Sequence, residues 1–219
     1  MLRITLATLL SFFVSTAFAQ IEIGIKVSPS LAGNRVAAEQ RHNMESTNAR
    51  ARIGFGVLVD YFFTENYAFS TGLNYTSKGS GAIYNNPGNP TNTRPTDRFS
   101  LQYLELPLMM KLFTNEVATD TKVYFHLGPS LNANIAAKVN DQKILVGGQR
   151  ATKRFNIFEV SAILGTGAEW QLGQTTRVFG GLAYHRGLTN IDNAYGRELN
   201  DRNISIRSDA FIIDIGIKF

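Results

Sequence analysis

Apolar and polar residues alternate along most of this chain, most clearly over its last ten residues. Between Ala210 and Phe219 every second residue, from Phe211 onward, is Phe or Ile, and Asp214 and Lys218 fall between them. Successive side chains of a β-strand point to opposite faces, so a period of two predicts a strand with one apolar face. The terminal aromatic residue is typical of the last strand of an outer-membrane β-barrel.

Seven earlier segments alternate in the same way, which gives eight predicted strands at residues 21–28, 53–63, 67–78, 100–113, 123–135, 158–172, 177–185 and 210–219. Their connections are alternately long (32–48, 81–97, 139–152 and 191–203) and short (64–66, 115–120 and 173–175). Transmembrane barrels have this arrangement, with long outer loops and short periplasmic turns. We predict an all-β fold, an eight-stranded antiparallel up-and-down transmembrane β-barrel, whose last strand pairs with the first.

The polar face of the strands carries many glycines and nearly all the strand charges. Both features predict that this face lines the inside of the barrel. Glycines make room inside a narrow barrel, whereas an Arg or Lys facing lipid costs about 2–4 kcal/mol at the midplane. Charges of both signs share the face, so they can pair when buried. We expect a lumen filled with side chains, although four inward residues are apolar and require either a bulge or a partly apolar lumen: Leu58, Phe62, Met109 and Ile163.

The candidate functional residues form a lumen ion network, which we expect to stiffen and plug the barrel. Its members are Glu105, Lys111, Glu159, Glu169, Arg177, His185, Asp214 and Lys218. We predict that Glu105 pairs with Lys111 or Arg177, and that Glu169 pairs with Lys218. A role in conduction is the alternative, which the small bore of eight strands disfavours.

Aromatic residues near the strand ends predict two girdles at the membrane interfaces. The periplasmic girdle would contain Tyr61, Phe63, Tyr67, Phe113, Trp170 and Phe219. The outer girdle would contain Tyr75, Phe99, Phe158 and Tyr184. Within the fourth strand, Pro107 should cost a ladder bond or mark a bulge.

The N-terminus predicts export. Arg3, a short apolar stretch around residues 9–14 and the small residues Ala17 and Ala19 fit a signal peptide over residues 1–19, which leaves 20–219 as one barrel domain. The absence of Cys excludes disulfides and a lipid-anchored Cys. The net charge of +5 comes from scattered basic residues, so nucleic acid is not an expected partner.

Five stretches carry a family resemblance: residues 72–79 (GLNYTSKG), 102–108 (QYLELPL), 125–129 (FHLGP), 165–169 (GTGAE) and 184–191 (YHRGLTNI). In this order they resemble the PorT-like outer-membrane β-barrel family of Gram-negative bacteria. The resemblance covers nearly all of the mature chain and implies an eight-stranded barrel in the outer membrane. The namesake of that family assists a protein-secretion machinery, and the resemblance brings no catalytic residues with it.

Other candidate chemistry is weak. The three histidines, His42, His126 and His185, lack metal-ligand spacing, so we predict no metal, cofactor or catalytic site. His185 with Ser161 and Glu159 is a conceivable trio for a lipid-modifying enzyme. Ser161 has no activating motif, however, and the polar face of eight strands supplies such trios by chance.

We therefore expect a non-enzymatic barrel of the cell outer membrane that is structural or binds an envelope protein. The family resemblance, and nothing else in the sequence, implies a role as an accessory of a protein-secretion machinery. The alternatives are a small-solute channel and an outer-membrane lipid-modifying enzyme. The expected partners are outer-membrane lipid, an envelope protein and the barrel-assembly machinery. Phe219 resembles the C-terminal assembly signal that this machinery reads.

Overall fold

A computed structural model describes residues 20–85, 94–145 and 147–219, so the predicted signal peptide lies outside the described residues. The described residues form ten strands: β1 (Gln20–Ala37), β2 (Glu45–Ser46), β3 (Arg50–Thr64), β4 (Tyr67–Lys78), β5 (Gly81–Ile83), β6 (Thr96–Ala118), β7 (Thr121–Val139), β8 (Phe158–Gln171), β9 (Arg177–Gly187) and β10 (Ser205–Lys218). One short α-helix, α1 (Tyr195–Glu198), and 3-10 turns at Gln40–His42 and Ala151–Arg154 lie in the connections. None of the described helices is long and apolar enough to cross a membrane.

Eight long antiparallel strands form a closed ring, as the alternation predicted. The ring runs β1, β3, β4, β6, β7, β8, β9 and β10, and returns to β1. The closing pair joins Val27 to Ile215 and Leu31 to Phe211. Closure leaves no free edge among the ring strands, because each finds its ladder partners on both sides. The two remaining strands, β2 and β5, pair with each other above the ring.

Several strands extend further than the alternation predicted. β1 continues to Ala37 and β10 begins at Ser205, because these two strands stay paired beyond the segments in which apolar and polar residues alternate. The predicted connection at 115–120 shrinks to a turn at 119–120, since β6 and β7 pair as far as Ala118 and Thr121. Bulges near Glu116 interrupt the period of two, which is why the alternation of apolar and polar residues ends before the strand does.

The two faces of the wall have the predicted orientation. Apolar residues point outward along every ring strand; Ile23, Phe55 and Ile215, for example, are each more than half exposed. The charged face points inward, and Glu105, Glu159 and Lys218 are almost completely buried. A wall that is apolar outside and charged inside is the pattern of a membrane barrel and the reverse of a soluble one.

Two members of the predicted girdles lie inside the barrel instead. Phe99 and Phe113 are buried, at 1% and 7% exposure. Both share the odd-numbered parity of Tyr103, so the pleat of β6 turns all three inward. Phe113 packs with Leu58 and Phe62 in an apolar patch, which resolves the earlier conflict: the lumen is partly apolar.

Pro107 interrupts a ladder without shifting its register. The β4–β6 ladder pairs Thr71 with Leu108 and Asn74 with Glu105 but skips the positions between them. Proline has no N–H to donate, so the loss of a ladder bond rather than a bulge is the cost at this site. The Thr71 hydroxyl donates to the Pro107 carbonyl at 2.8 Å and so satisfies that oxygen.

Glycine permits close approach between strands where the lumen is narrow. A Cβ on Gly72 would lie 2.1 Å from the Val57 carbonyl oxygen, and one on Gly128 would lie 2.1 Å from the Leu108 carbonyl oxygen. Backbone atoms cannot move aside as a flexible side chain does, so larger residues would force the wall apart.

Candidate functional site

The periplasmic third of the lumen holds a balanced set of charges, which we call the lower ion cluster: Glu22, Asp60, Lys111, Glu169, Arg177 and Lys218. Asp60 is its centre, since its carboxylate accepts from Lys111 Nζ at 2.8 Å and from Lys218 Nζ at 2.9 Å. Lys218 also lies 2.5 Å from Glu169, and Arg177 pairs with Glu22. Three carboxylates therefore face three cations, which a buried cluster needs in order to persist.

A second group of ionisable side chains lies higher, between β4, β6, β8 and β9, and we call it the upper ion cluster: Lys78, Glu105, Glu159 and His185. Lys78 Nζ lies 3.8 Å from Glu105 and 3.6 Å from Glu159. His185 Nδ1 lies 3.4 Å from Glu105. All four residues are at most 5% exposed, so their side chains help to fill this level of the lumen.

The remaining predicted network member, Asp214, joins neither cluster. Its carboxylate accepts from Lys26 Nζ at 2.9 Å and from Ser28 Oγ at 2.5 Å. The pair lies on β1 and β10, next to the closing ladder of the ring. The predicted network does not include Lys26, although its position between the apolar residues Ile25 and Val27 places it on the polar face of the first strand.

The predicted pairs are partly wrong. Glu169 and Lys218 do lie together, at 2.5 Å. Glu105 contacts neither Lys111 nor Arg177, because those cations belong to the lower cluster and Glu105 to the upper one. Alternation shows which face a side chain occupies, but it does not show how far along the barrel axis that side chain lies. It therefore could not separate the lower cluster from the upper one.

The trio considered for an enzyme is not assembled in the described residues. Ser161 Oγ donates to Glu159 at 3.3 Å, and Asn132 Nδ2 donates to Ser161 Oγ at 3.2 Å. His185 is turned toward Glu105 rather than toward Ser161. A serine nucleophile needs a base such as His within hydrogen-bond reach. Here the hydroxyl of Ser161 donates to a carboxylate of the upper ion cluster instead.

The space that remains in the lumen is divided. A cavity of about 330 Å³ opens at the periplasmic end and is bounded by Glu22, Glu169 and Arg177. A separate void of about 30 Å³ lies higher, beside Lys26 and His126. The lower ion cluster lies between the two, so the mouth is a blind recess.

The outer loops form an ordered apolar cap over the ring. We define the outer cap by its buried residues Phe99, Phe155, Ile191, Tyr195, Ile204 and Ile206, which are each at most 3% exposed. The rings of Phe99 and Phe155 lie 5.4 Å apart. The cap therefore joins β6 and β10 to the two outer loops that precede β8 and β10.

Acidic side chains hold the cap loops in place. Asp192 accepts three backbone N–H groups, from Ala194, Tyr195 and Gly196, at 2.9 to 3.0 Å, and so satisfies the start of α1. The Asp97 carboxylate accepts from the Tyr195 hydroxyl at 2.7 Å. The loops had been predicted only as loops; an Asp shortly before a helical turn was the signal that could have revealed α1.

Alkaline pH should open this cap while the ring remains intact. Burial and the nearby Asp97 carboxylate raise the pKa of Tyr84 to about 12 and raise that of Tyr195 above its ordinary range. A raised pKa means that the neutral hydroxyl is favoured in the folded state, so this stabilisation is complete below about pH 10 and is lost as the pH rises toward about 12. The difference in phenolate absorbance between wild type and Tyr84→Phe, followed as a function of pH, would measure the pKa of Tyr84.

Asp97→Asn is the matched variant for this prediction, since it removes the charge but keeps the shape. It should lower the pH at which Tyr84 ionises. A Tyr84 that titrates near its ordinary value in the wild type would contradict the prediction.

Comparisons with known proteins agree with this geometry. A family model described as outer membrane protein beta-barrel domain matches residues 18–193. Two solved structures share the fold: Neisserial surface protein A, at 14% identity and TM-score 0.51, covering 91% of this chain and 97% of that one, and OprG of Pseudomonas aeruginosa, at 10% identity and TM-score 0.51, covering 91% and 94%. No curated protein gives a match. The chain thus belongs to the outer membrane protein beta-barrel domain family and is a protein of the outer membrane.

Proposed function

We propose that this protein is a closed, non-enzymatic outer-membrane barrel whose ordered outer loops contact another envelope protein. The observation that carries the proposal is the double closure of the barrel. Two ion clusters fill the lumen, and an apolar cap covers its outer end. A barrel closed in this way offers surfaces rather than a passage, and the ordered loops around the outer cap present such a surface outside the membrane.

The blind periplasmic recess argues against the channel alternative. A solute would have to displace Asp60, Lys111 and Lys218 from their mutual contacts and then pass the apolar cap. Separating buried ion pairs leaves uncompensated charge and costs several kcal/mol.

Planar bilayer recordings of the folded protein should therefore be silent. Insertion would be verified independently, by flotation with the vesicles and by the shift in gel mobility on heating. Steady single-channel steps from verified insertions would contradict the proposal and favour a small-solute channel.

The resemblance to PorT-like barrels supports a finer proposal, in which the partner belongs to a protein-secretion machinery. Crosslinking pull-down from outer membranes tests it, with the wild type compared against Tyr195→Ala. Tyr195 holds the cap loops through Asp97 and through the Arg154 guanidinium, which lies 4.7 Å above its ring. A partner that depends on the cap should be captured by the wild type and lost from the variant. Equal capture by both would indicate that the contact surface lies elsewhere on the barrel.

We also propose that Phe219 acts during assembly. Its backbone pairs with Ile23 in both directions, at 2.8 and 3.1 Å, while its ring remains 61% exposed at the periplasmic edge. A ring that contributes little to packing is available to the barrel-assembly machinery. Surrounding lipid and this machinery are the other partners that we propose.

A further inference from the structure

Four basic side chains converge at the outer rim of the wall. Arg50 and Arg52 of β3 meet Arg98 of β6 and Lys138 of β7 around a cavity of about 160 Å³. We call these four residues the rim site. Asp141 is the one acidic residue that lines the cavity. The local charge is therefore strongly positive.

The rim site is short of acceptors. Two other partly buried cations at the outer end do have carboxylate partners: Arg35 pairs with Asp209 at 2.6 Å and Arg154 with Glu198 at 2.7 Å. Within the described ranges, 20–85, 94–145 and 147–219, the four rim residues form no ion pair. Like charges gathered without counter-charge repel one another, so an anion would stabilise the group.

Arg52 points to where that anion binds. Its terminal nitrogen donates to the Gly79 carbonyl at 3.0 Å and to the Phe99 carbonyl at 3.3 Å, so the side chain is fixed in place. Its Nε is buried and has no acceptor in the described part of the chain. A buried donor without a partner is costly, and its guanidinium suits a phosphate group in particular.

The height of the rim site identifies the kind of anion. Ile53 directly follows Arg52 and is 62% exposed on the lipid-facing side, and Phe63 ends the same outward row at the periplasmic edge. Ten residues at about 3.3 Å, tilted by roughly 40°, span about 25 Å, which is the height of the apolar band of such barrels. Ile53 therefore marks the outer edge of the band, and the rim site lies directly above it.

An apolar surface continues from the rim site into the membrane. Below Ile53 lies Phe55, 59% exposed and stacked on Tyr75 at 5.1 Å, and Leu104 of β6 is exposed on the same side. An occupant that used both regions would have a phosphate at the top and alkyl chains beneath it. We propose that the rim site binds the phosphorylated head group of a lipid in the outer leaflet.

A titration with a bisphosphorylated glycolipid, lipid A, tests the proposal. The folded barrel in zwitterionic micelles would be titrated and the bound lipid counted by native mass spectrometry. Arg50→Gln/Lys138→Gln removes two charge-assisted contacts to phosphate and should weaken binding about 100-fold or more. Arg52→Gln removes one cation and should weaken binding about tenfold or more.

Matched controls separate the site from general electrostatics and from a free-anion site. Lys143→Gln/Lys153→Gln removes the same charge from exposed outer-loop positions and should leave the affinity within about twofold of wild type. Dephosphorylated lipid A should bind weakly, and millimolar inorganic phosphate should compete poorly because it lacks the apolar chains.

Three results would overturn the proposal. One is equal lipid A affinity for wild type and Arg50→Gln/Lys138→Gln; another is equal binding of dephosphorylated lipid; the third is complete displacement by inorganic phosphate, which would indicate a site for free anions. If Arg52→Gln fails to fold, the double variant still decides, because it leaves the Arg52 contacts to Gly79 and Phe99 intact.

Discussion

Replacing Asp60 with Asn should lower the free energy of unfolding of the barrel by about 3–5 kcal/mol, the usual cost of breaking a buried ion pair from one side. Asp60 is fully buried and accepts from Lys111, Lys218 and Ser70 at 2.5 to 2.9 Å. An amide of the same shape removes one negative charge and leaves three cations facing two carboxylates. Urea titration of the protein folded into vesicles would measure the loss.

Two further variants show whether charge balance is the cause. Asp60→Leu/Lys111→Met removes one charge of each sign, and the rings of Phe113 and Tyr124 already surround the Lys111 amine. This double variant should be clearly more stable than Asp60→Asn, because apolar replacement of a whole buried pair is often neutral. Equal loss in both would mean that the site depends on shape and not on charge.

An exposed pair supplies the contrasting case. Glu39 and Arg41 lie 2.8 Å apart, with side chains 42% and 57% exposed. Glu39→Gln should change stability by less than about 1 kcal/mol, since water screens such pairs. A loss as large as that of Asp60→Asn would refute the distinction drawn between the lumen and the surface.

Replacing Phe155 with Ala should open the outer cap and leave the ring closed. Phe155 is 2% exposed and packs against Phe99 in the centre of the cap, and truncating a buried Phe costs about 3–5 kcal/mol. Phe155 itself lies outside the ring ladders, in the loop before β8, so the loss should be greatest in the loops. Tryptic cleavage at Arg150 and Lys153 should accelerate by about 100-fold or more, since about 1.4 kcal/mol corresponds to a factor of ten.

The matched control for the cap is Ile157→Ala. Ile157 is two residues away from Phe155 but is 65% exposed, so its truncation should leave the cleavage rate nearly unchanged. The heat-induced gel shift should be normal in both variants. Unaltered protease resistance in Phe155→Ala would show that the cap does not depend on its apolar centre.

Most of the wall could be predicted from the sequence because its determinant is local. The side chain of each strand residue points opposite to that of its neighbour, so Ile23 and Glu22 are assigned to different faces without knowledge of any partner. The same rule would have placed Phe99 and Phe113 inside. Their predicted place in the girdles is wrong because the parity of a strand residue, and not its distance from the strand end, decides which face it occupies.

The functional features depend on residues that are far apart in the chain. The distinction between the two ion clusters requires the depth of each side chain, and depth follows from the register of eight ladders. The outer cap joins Asp97 to Tyr195 across 98 positions, through loops whose sequence predicts only irregular structure.

The rim site shows the same dependence most clearly. Along the chain its four basic residues are scattered over positions 50 to 138. Closure of the ring brings Arg50 and Arg52 beside Arg98 and Lys138, at the edge of the apolar band. The period of the pattern determined the fold class, the membrane and the face of nearly every residue, since those follow from neighbours in sequence. Which charges meet, and at what height, follows from strand register and loop packing, which arise only when distant segments pair.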